Sequence, residues 1–193
     1  MVGKLRRVVV IADDRREAVA TLTEQVCDLL SKRADEVTRI SLAAFSPAMT
    51  AEERRSYESD EPIRSEEVKE SATAVKQADT MIFIHPTPAQ GLTAPVKGWI
   101  DRVLVPGVAF VLDDKTGRVR PALGHIGTLG LISIDDRTRI QRWVEHHNAK
   151  RVIFRALRLV CGIRTRTRAI TLTTGDLADQ RAVARRLKVI SRW

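Results

Sequence analysis

The chain has 193 residues, 44% of them hydrophobic, enough to bury a core without disulfide or metal staples. Its 33 Lys and Arg against 24 Asp and Glu leave a formal charge of +9, with the excess mainly in the last third, in RVIFRALR, IRTRTR and RAVARRLK. No run reaches the roughly 18 apolar residues of a membrane helix, Cys27 and Cys161 stand apart as buried inert thiols, and no metal-ligand spacing, P-loop or G-x-S-x-G occurs. The expectation is a cytoplasmic protein with no membrane insertion. A nucleic-acid partner is not expected, since aromatic content is 4% and no helix-turn-helix, zinc-finger or RNP pattern is present.

In chain order, RVVVIA from Arg7 to Ala12 is a continuous apolar run of the kind a strand covered on both faces requires. From Arg15 to Leu30, Val19, Leu22, Val26, Leu29 and Leu30 form one helical stripe. Glu36 to Leu42 alternates polar and apolar residues, as an edge or near-edge strand does. The polar stretch AAFSPAMTAEERRSYESDEPIR carries a T-x-x-E capping box at Thr50 and Glu53, so a short helix is expected inside a long surface excursion, a lid or subunit arm. Ser65 to Ala78 reads as a helix, and TMIFIH from Thr80 to His85 as the third strand.

Thr93 can cap a helix running to about Val103, with Pro95 tolerated in its first turn. VAFVLDDKTGRVRPA reads as a surface hairpin. Ile126 to Ile134 is the fourth strand. Helical segments over Ile140 to Glu145 and Arg151 to Leu159 follow, then a fifth strand near Thr167 to Leu172. Asp176 is the expected N-cap of a last helix from Leu177 to about Ser191. Arg151, Arg155 and Arg158 share a helical face, as do Arg181, Arg185 and Lys188, the pattern of solvated or subunit-contacting surfaces.

Five strands separated by helices imply right-handed crossovers and a single α/β domain over residues 1–193. The class is the doubly wound, flavodoxin-like five-stranded parallel sheet of order 2-1-3-4-5, with helices on both faces. Ligands of that class sit at the carboxyl ends of the strands, at the switch point. That rule selects three loops, Ala12 to Arg16, His85 to Thr93 and Ser133 to Arg137. In the second, Gly91 allows close backbone approach and the capped helix presents N–H groups, which suits a flat heterocycle. His85, His146 and His147 are the candidates for acid–base work, and His85 is the best placed of them. A hydrogen-bonded structural histidine is the plainer account of His85. The helix dipole is the plainer account of the other two.

The stretch ADTMIFIHPTPAQGLTAPVKGWIDRVLVPGVAF, from Ala78 to Phe110, resembles the NAD(P)H:quinone oxidoreductase family. Its members show P-T-W-W-F-G-M-P-A-x-L-K-G-W-I-D-R-V at this point. Pro86, Thr87, Gly91, Ala94, Lys97, Gly98, Trp99, Ile100, Asp101, Arg102 and Val103 fall in place without a gap. AFSPAMTAEERRSYE is similar to the family's F-D-P-x-x-S/T-x-x-E segment, and RALRLVCGIRTR to its late helix entering the final strand.

The resemblance implies the flavodoxin-like fold, an FMN or FAD cofactor, a homodimer, and two-electron reduction of a quinone-like acceptor by NAD(P)H. It places the cofactor against Asp14, Arg15 and Arg16 in the first loop. In the second loop the residues are His85, Pro86, Thr87, Pro88, Ala89, Gln90 and Gly91, and in the third they are Ser133, Ile134 and Asp135. Lys97, Asp101 and Arg102 read as packing and helix stability rather than catalysis, with Lys97 and Asp101 a surface pair at i,i+4.

Three departures stand beside the match. The family's W-W-F is Pro88, Ala89 and Gln90, and its M-P is Leu92 and Thr93, so the aromatic walls are missing. Its long first loop is reduced to Ala12 through Arg16, where Asp13 and Asp14 oppose a phosphate, although either can cap the helix and Arg15 and Arg16 can attract an anion. Its small-residue third turn is Ser133, Ile134, Asp135 and Asp136. Two functions therefore follow. One is an FMN-dependent NAD(P)H oxidoreductase; the other is a family member that keeps the fold and dimer surface without flavin and serves as a binding or regulatory subunit.

Overall fold

The computed structural model describes the chain except for residues 1–5, 34, 58, 60, 61, 88–90, 113–117 and 145–147. Five strands, β1 (Arg7–Ala12), β2 (Glu36–Ser41), β3 (Thr80–Pro86), β6 (Thr128–Ile134) and β7 (Arg166–Leu172), form one sheet of order β2-β1-β3-β6-β7. Every pairing in it is parallel. Taken in chain order, the five strands have the expected 2-1-3-4-5 arrangement. The remaining two, β4 (Phe110–Leu112) and β5 (Val119–Pro121), pair antiparallel as the predicted hairpin; residues 113–117 of its turn lie outside the described residues.

The central strands are apolar throughout because both of their faces are covered. Val9, Ile11, Met81, Phe83, Leu129 and Leu131 face one core with helices α3 (Glu66–Gln77) and α4 (Ala94–Val103). Val8, Val10, Ile82, Ile84, Ile132 and Ile170 face the other with α1 (Glu17–Ser31), α9 (Gln180–Leu187) and Trp193. Gly130 is what lets Trp193 lie on the sheet, since a Cβ there would stand 2.6 Å from the indole. The edge strand β2 alternates exposed and half-buried positions, as its sequence predicts.

The Lys97 to Val103 block of the segment most like the quinone oxidoreductases is structural, as expected. Trp99 is fully buried, meets Phe83 edge to face with ring centroids 5.8 Å apart, and donates its indole N–H to Ser71 at 3.2 Å. Gly98 lies under the backbone of Pro47, so the excursion that carries α2 (Ala51–Ser56) sits directly on α4. Arg102, read from the sequence as a packing residue, is buried. Its five N–H groups go to Glu53 (3.0 and 2.9 Å), the Ser46 carbonyl (2.7 Å), Glu67 (2.9 Å) and Ser65 (3.0 Å). The guanidinium also lies 4.9 Å from the Phe45 ring centre. The predicted capping box of Thr50 and Glu53 is present, so Glu53 both caps α2 and fastens the excursion to Arg102. Lys97 and Asp101 form the expected surface pair.

Two boundaries differ from the sequence reading. Asp176 is not the N-cap of one long last helix. Thr173 caps the short α8 (Thr174–Ala178) with Asp176 as its box partner, Asp179 caps α9, and a 3-10 turn covers Lys188–Arg192. Thr93 does occupy the N-cap of α4, but its side chain makes no capping hydrogen bond. The predicted helix after β6 is α5 (Arg139–Val144), and the helical run before β7 consists of α6 (Asn148–Arg151), a π turn at Val152–Ala156 and α7 (Leu157–Cys161). No helix of the described residues is long and apolar enough to cross a membrane.

Candidate functional site

Side chains following the carboxyl ends of β1, β3, β6 and β7 enclose a cavity of about 630 Å³. It is lined by Asp13, Arg15 and Arg16 from the first loop, Pro86, Thr87 and Thr93 from the second, Ile134, Asp135, Asp136 and Arg137 from the third, and Thr174 after β7. Parallel pairing forces this convergence. The strands end level with one another, and each chain then turns over the same edge toward its helix.

Two walls repeat one motif. Asp13, 1% exposed, accepts from Arg15 Nε and Nη2 at 2.7 and 2.9 Å. Asp135, 5% exposed, accepts from Arg137 Nε and Nη2, both at 2.8 Å, and from the Arg137 amide at 3.0 Å. In each case an Asp-Asp-Arg sequence leaves a strand, and the arginine folds back over the first carboxylate two residues earlier. Such bidentate pairs are charge-assisted and geometrically fixed. Burial pushes the Asp13 carboxyl up, but Arg15, with Thr93 beside it, holds the group below its ordinary value. Asp136 accepts from the Thr174 hydroxyl and amide, which lower its pKa.

The cavity thus holds three carboxylates, each already engaged, and three guanidiniums. Arg16 has no ion-pair partner among the described residues, and at the N-cap of α1 its side chain makes no capping bond. Two hydroxyls on the cavity wall, Thr87 Oγ1 and Thr93 Oγ1, are buried without a hydrogen-bond partner. Thr93 stands close enough to Asp13 to help hold it ionised, yet makes no well-formed bond to it. Buried polar atoms left unpaired are costly, which marks these two as positions where a ligand supplies the partner.

Of the residues predicted for the site, Arg15, Arg16, Pro86, Thr87, Ile134 and Asp135 meet at the cavity. Asp14 does not. It is buried against β2, accepting from Arg39 and Ser41 at 2.6 Å each, and it ties two strand ends together. Ser133 also stands outside the lining, bonded to Thr171 Oγ1 at 3.2 Å. Around Gly91, nothing in the protein lies within 4 Å of where a Cβ would stand, so the space beside it is open. Pro88, Ala89, Gln90, His146 and His147 fall outside the described residues.

His85 is fully buried beside the cavity rather than in its lining. Its Nδ1 donates to the Pro86 carbonyl at 2.7 Å; a carbonyl only accepts, so the proton of the neutral ring is on Nδ1. Nε2 is then an acceptor, and it is buried without a partner. Burial lowers the His85 pKa, while the Pro86 carbonyl and the Asp13 charge offset part of that effect. The ring is held neutral, a bonded structural histidine on one side and an open acceptor on the other. Burial also raises both thiols, Cys161 to about 12, consistent with inert cysteines. Among the described residues no His, Cys, Asp and Glu cluster could hold a metal ion.

Asp13, Thr93, Asp136 and Arg137 lie in the three predicted loops but were not named individually as cofactor contacts, and Thr174 lies outside those loops. The repeated Asp-Asp-Arg after two predicted strands was the available signal for Asp13, Asp136 and Arg137.

The family model described as a flavodoxin-like fold matches residues 6–167. No curated protein matches the sequence. Among solved structures, the chain is similar to Smu.1420 from Streptococcus mutans, with 21% identity, 96% of each chain covered and a TM-score of 0.72. An NAD(P)H:quinone oxidoreductase from Methanothermobacter marburgensis aligns with 18% identity over 96% of this chain and 97% of that one, at a TM-score of 0.70. An FMN-dependent NADH-azoreductase from Bacillus anthracis, in complex with FMN, aligns with 16% identity over 96% and 98%, at a TM-score of 0.63.

Proposed function

We propose, from the premise that this chain belongs to the family of the flavodoxin-like fold, that its carboxyl-edge cavity binds a flavin nucleotide, FMN or FAD. The protein then passes two electrons from NAD(P)H to a quinone-like acceptor. One observation carries the reading: two buried, unpartnered hydroxyls and three guanidiniums share a single cavity at the switch point of the sheet. The donor set suits an anionic, hydroxylated heterocycle. Asp13 and Asp135 are each neutralised by an arginine, and the remaining negative charge, on Asp136 bonded to Thr174, is set against Arg16 in the same cavity. Two structures similar to this chain, a quinone oxidoreductase and an FMN-bound azoreductase, support the same kind of activity.

In this reading Thr87 and Thr93 donate to the heterocycle, and Arg15 and Arg16 face its phosphate beside the start of α1. Bound flavin supplies the hydride-accepting and electron-passing chemistry. The rest of the task falls to the protein. The Asp13–Arg15 and Asp135–Arg137 pairs keep the walls rigid, Ile134 and Pro86 exclude water, and His85 holds its proton on Nδ1, away from the acceptor face. The reading includes a homodimer and a cytoplasmic location.

A second reading, a binding or regulatory subunit without flavin, is favoured by one observation. No aromatic side chain lines the cavity among the described residues. Turnover separates the two. Protein reconstituted with FMN is expected to oxidise NADH or NADPH in the presence of a soluble quinone with parallel-line, ping-pong kinetics. Thr93→Val is expected to weaken flavin retention by about tenfold, the value of one hydrogen bond at roughly 1.4 kcal/mol. No oxidation with either nucleotide would favour the second reading.

A further inference from the structure

The proposed function uses the carboxyl edge of the sheet and leaves the opposite corner unexplained. Between positions 146 and 175 the sequence has seven Lys and Arg and no Asp or Glu, which accounts for most of the net charge of +9. The structure concentrates part of that charge around the turn from α7 into β7. Leu159 is 74% exposed and Ile163 85% exposed, among the most exposed large aliphatics of the described chain. Arg155, Arg158, Arg164 and Arg166 surround them, all exposed, and no carboxylate pairs with any of the four among the described residues.

The turn is built rather than ragged. Gly162, with φ of 113°, takes a conformation that favours glycine, its amide donates to the Arg158 carbonyl at 2.8 Å, and the Arg158 guanidinium reaches the Ile163 carbonyl. Thr165 is buried and bonded to the Ile126 carbonyl at 2.9 Å, which fixes the next residue of the turn to the sheet. Arg164 ends the turn, and Arg166 and Arg168 follow at alternate positions along edge strand β7.

We propose that this corner is a peripheral docking surface for an anionic lipid bilayer. Leu159 and Ile163 enter the boundary between headgroups and acyl chains, and the four arginines contact lipid phosphates. Two protruding aliphatics ringed by unpaired guanidiniums match that layered surface. A second copy of the chain would bring like charges face to face. A nucleic acid would leave both aliphatics without a role and would find no aromatic platform there. A strand of this length separates the corner from the cavity by roughly 20 Å, so a docked molecule keeps its cavity open to water and to soluble nucleotide. The inference does not rest on flavin chemistry.

Co-sedimentation tests it, using phosphatidylcholine vesicles with and without roughly 30 mol % phosphatidylserine. The full chain is expected to sediment with the mixed vesicles and to stay in solution with phosphatidylcholine alone. Binding should weaken with added salt. Arg164→Gln with Arg166→Gln is expected to lower the affinity by roughly thirtyfold, two charges at about 1 kcal/mol each. Leu159→Ser with Ile163→Ser should lower it by at least about tenfold. All four side chains are exposed, so unchanged thermal melting confirms that the variants fold. Equal binding to both vesicle types, or anionic binding that both double variants retain, would overturn the proposal. So would a DNA duplex bound as tightly as the mixed vesicles, with that affinity undiminished in the Leu159→Ser, Ile163→Ser variant.

Discussion

Replacing Arg102 by methionine is expected to cost about 3–5 kcal/mol in unfolding free energy measured by urea titration, the largest effect of any single substitution considered. The side chain is 2% exposed and all five of its N–H groups are used, so its removal leaves Glu53, itself 6% exposed, as a buried carboxylate without its counter-charge. Breaking one member of such a pair costs far more than the net worth of the pair. Arg102→Lys should recover little, because an ammonium cannot reproduce the two-point contact with Glu53. Arg102→Met combined with Glu53→Gln should recover part of the loss.

The pH dependence of that loss has a definite sign. Burial pushes Glu53 up, but Arg102 and the Thr50 amide hold it below its ordinary value of 4.5. A carboxylate depressed in the folded state contributes stability that is full above 4.5 and declines as pH falls through its folded pKa. The gap between the parent protein and Arg102→Met should therefore shrink in acid. A gap that stays constant from neutral pH to well below 4.5 would show that the loss is one of packing, not of charge.

Gly98→Ala is expected to destabilise by about 3 kcal/mol, against the direction that helix propensity alone dictates. In an exposed helix interior the change would gain about 1 kcal/mol. Here the new Cβ would stand 2.3 Å from Pro47 Cα and 2.4 Å from its carbonyl oxygen. Both are backbone atoms in a segment that Arg102 and Glu53 hold down, so neither can move cheaply. Thermal melting of the variant checks this, and a raised midpoint would mean the excursion is free to lift. Together the two substitutions give the K-G-W-I-D-R-V block its physical meaning. Glycine admits the excursion, tryptophan fills the core beneath it, and arginine fastens it.

Much of the fold was legible because the sheet is covered on both faces. Runs such as RVVVIA and TMIFIH admit no other use, and the five strands were located to within about two residues at their ends. What escaped the sequence was contact across distance. Arg102 sits among Lys97 and Asp101 in a stretch that looks like a solvated helix face, and its partner Glu53 lies 49 residues away. The last helix was misplaced because Thr173 and Asp179 are both good caps, and nothing local says that both are used in succession. At the site, the switch-point rule chose three loops, and each sends residues to the cavity. It could not say which of two adjacent aspartates turns inward. Asp13 does and Asp14 does not, because alternate residues at a strand end point to opposite faces. Thr93 was visible as a helix cap, but only its unmet hydroxyl in the cavity reveals a second use.

Equilibrium titration of the purified protein with FMN, followed by quenching of flavin fluorescence, tests the central claim most directly. Saturable binding of one FMN per chain is expected, weakened in Thr93→Val and Arg16→Ala and unchanged in Asp14→Asn, whose side chain turns away from the cavity. No saturable quenching by FMN or FAD, in protein that melts cooperatively, would contradict it.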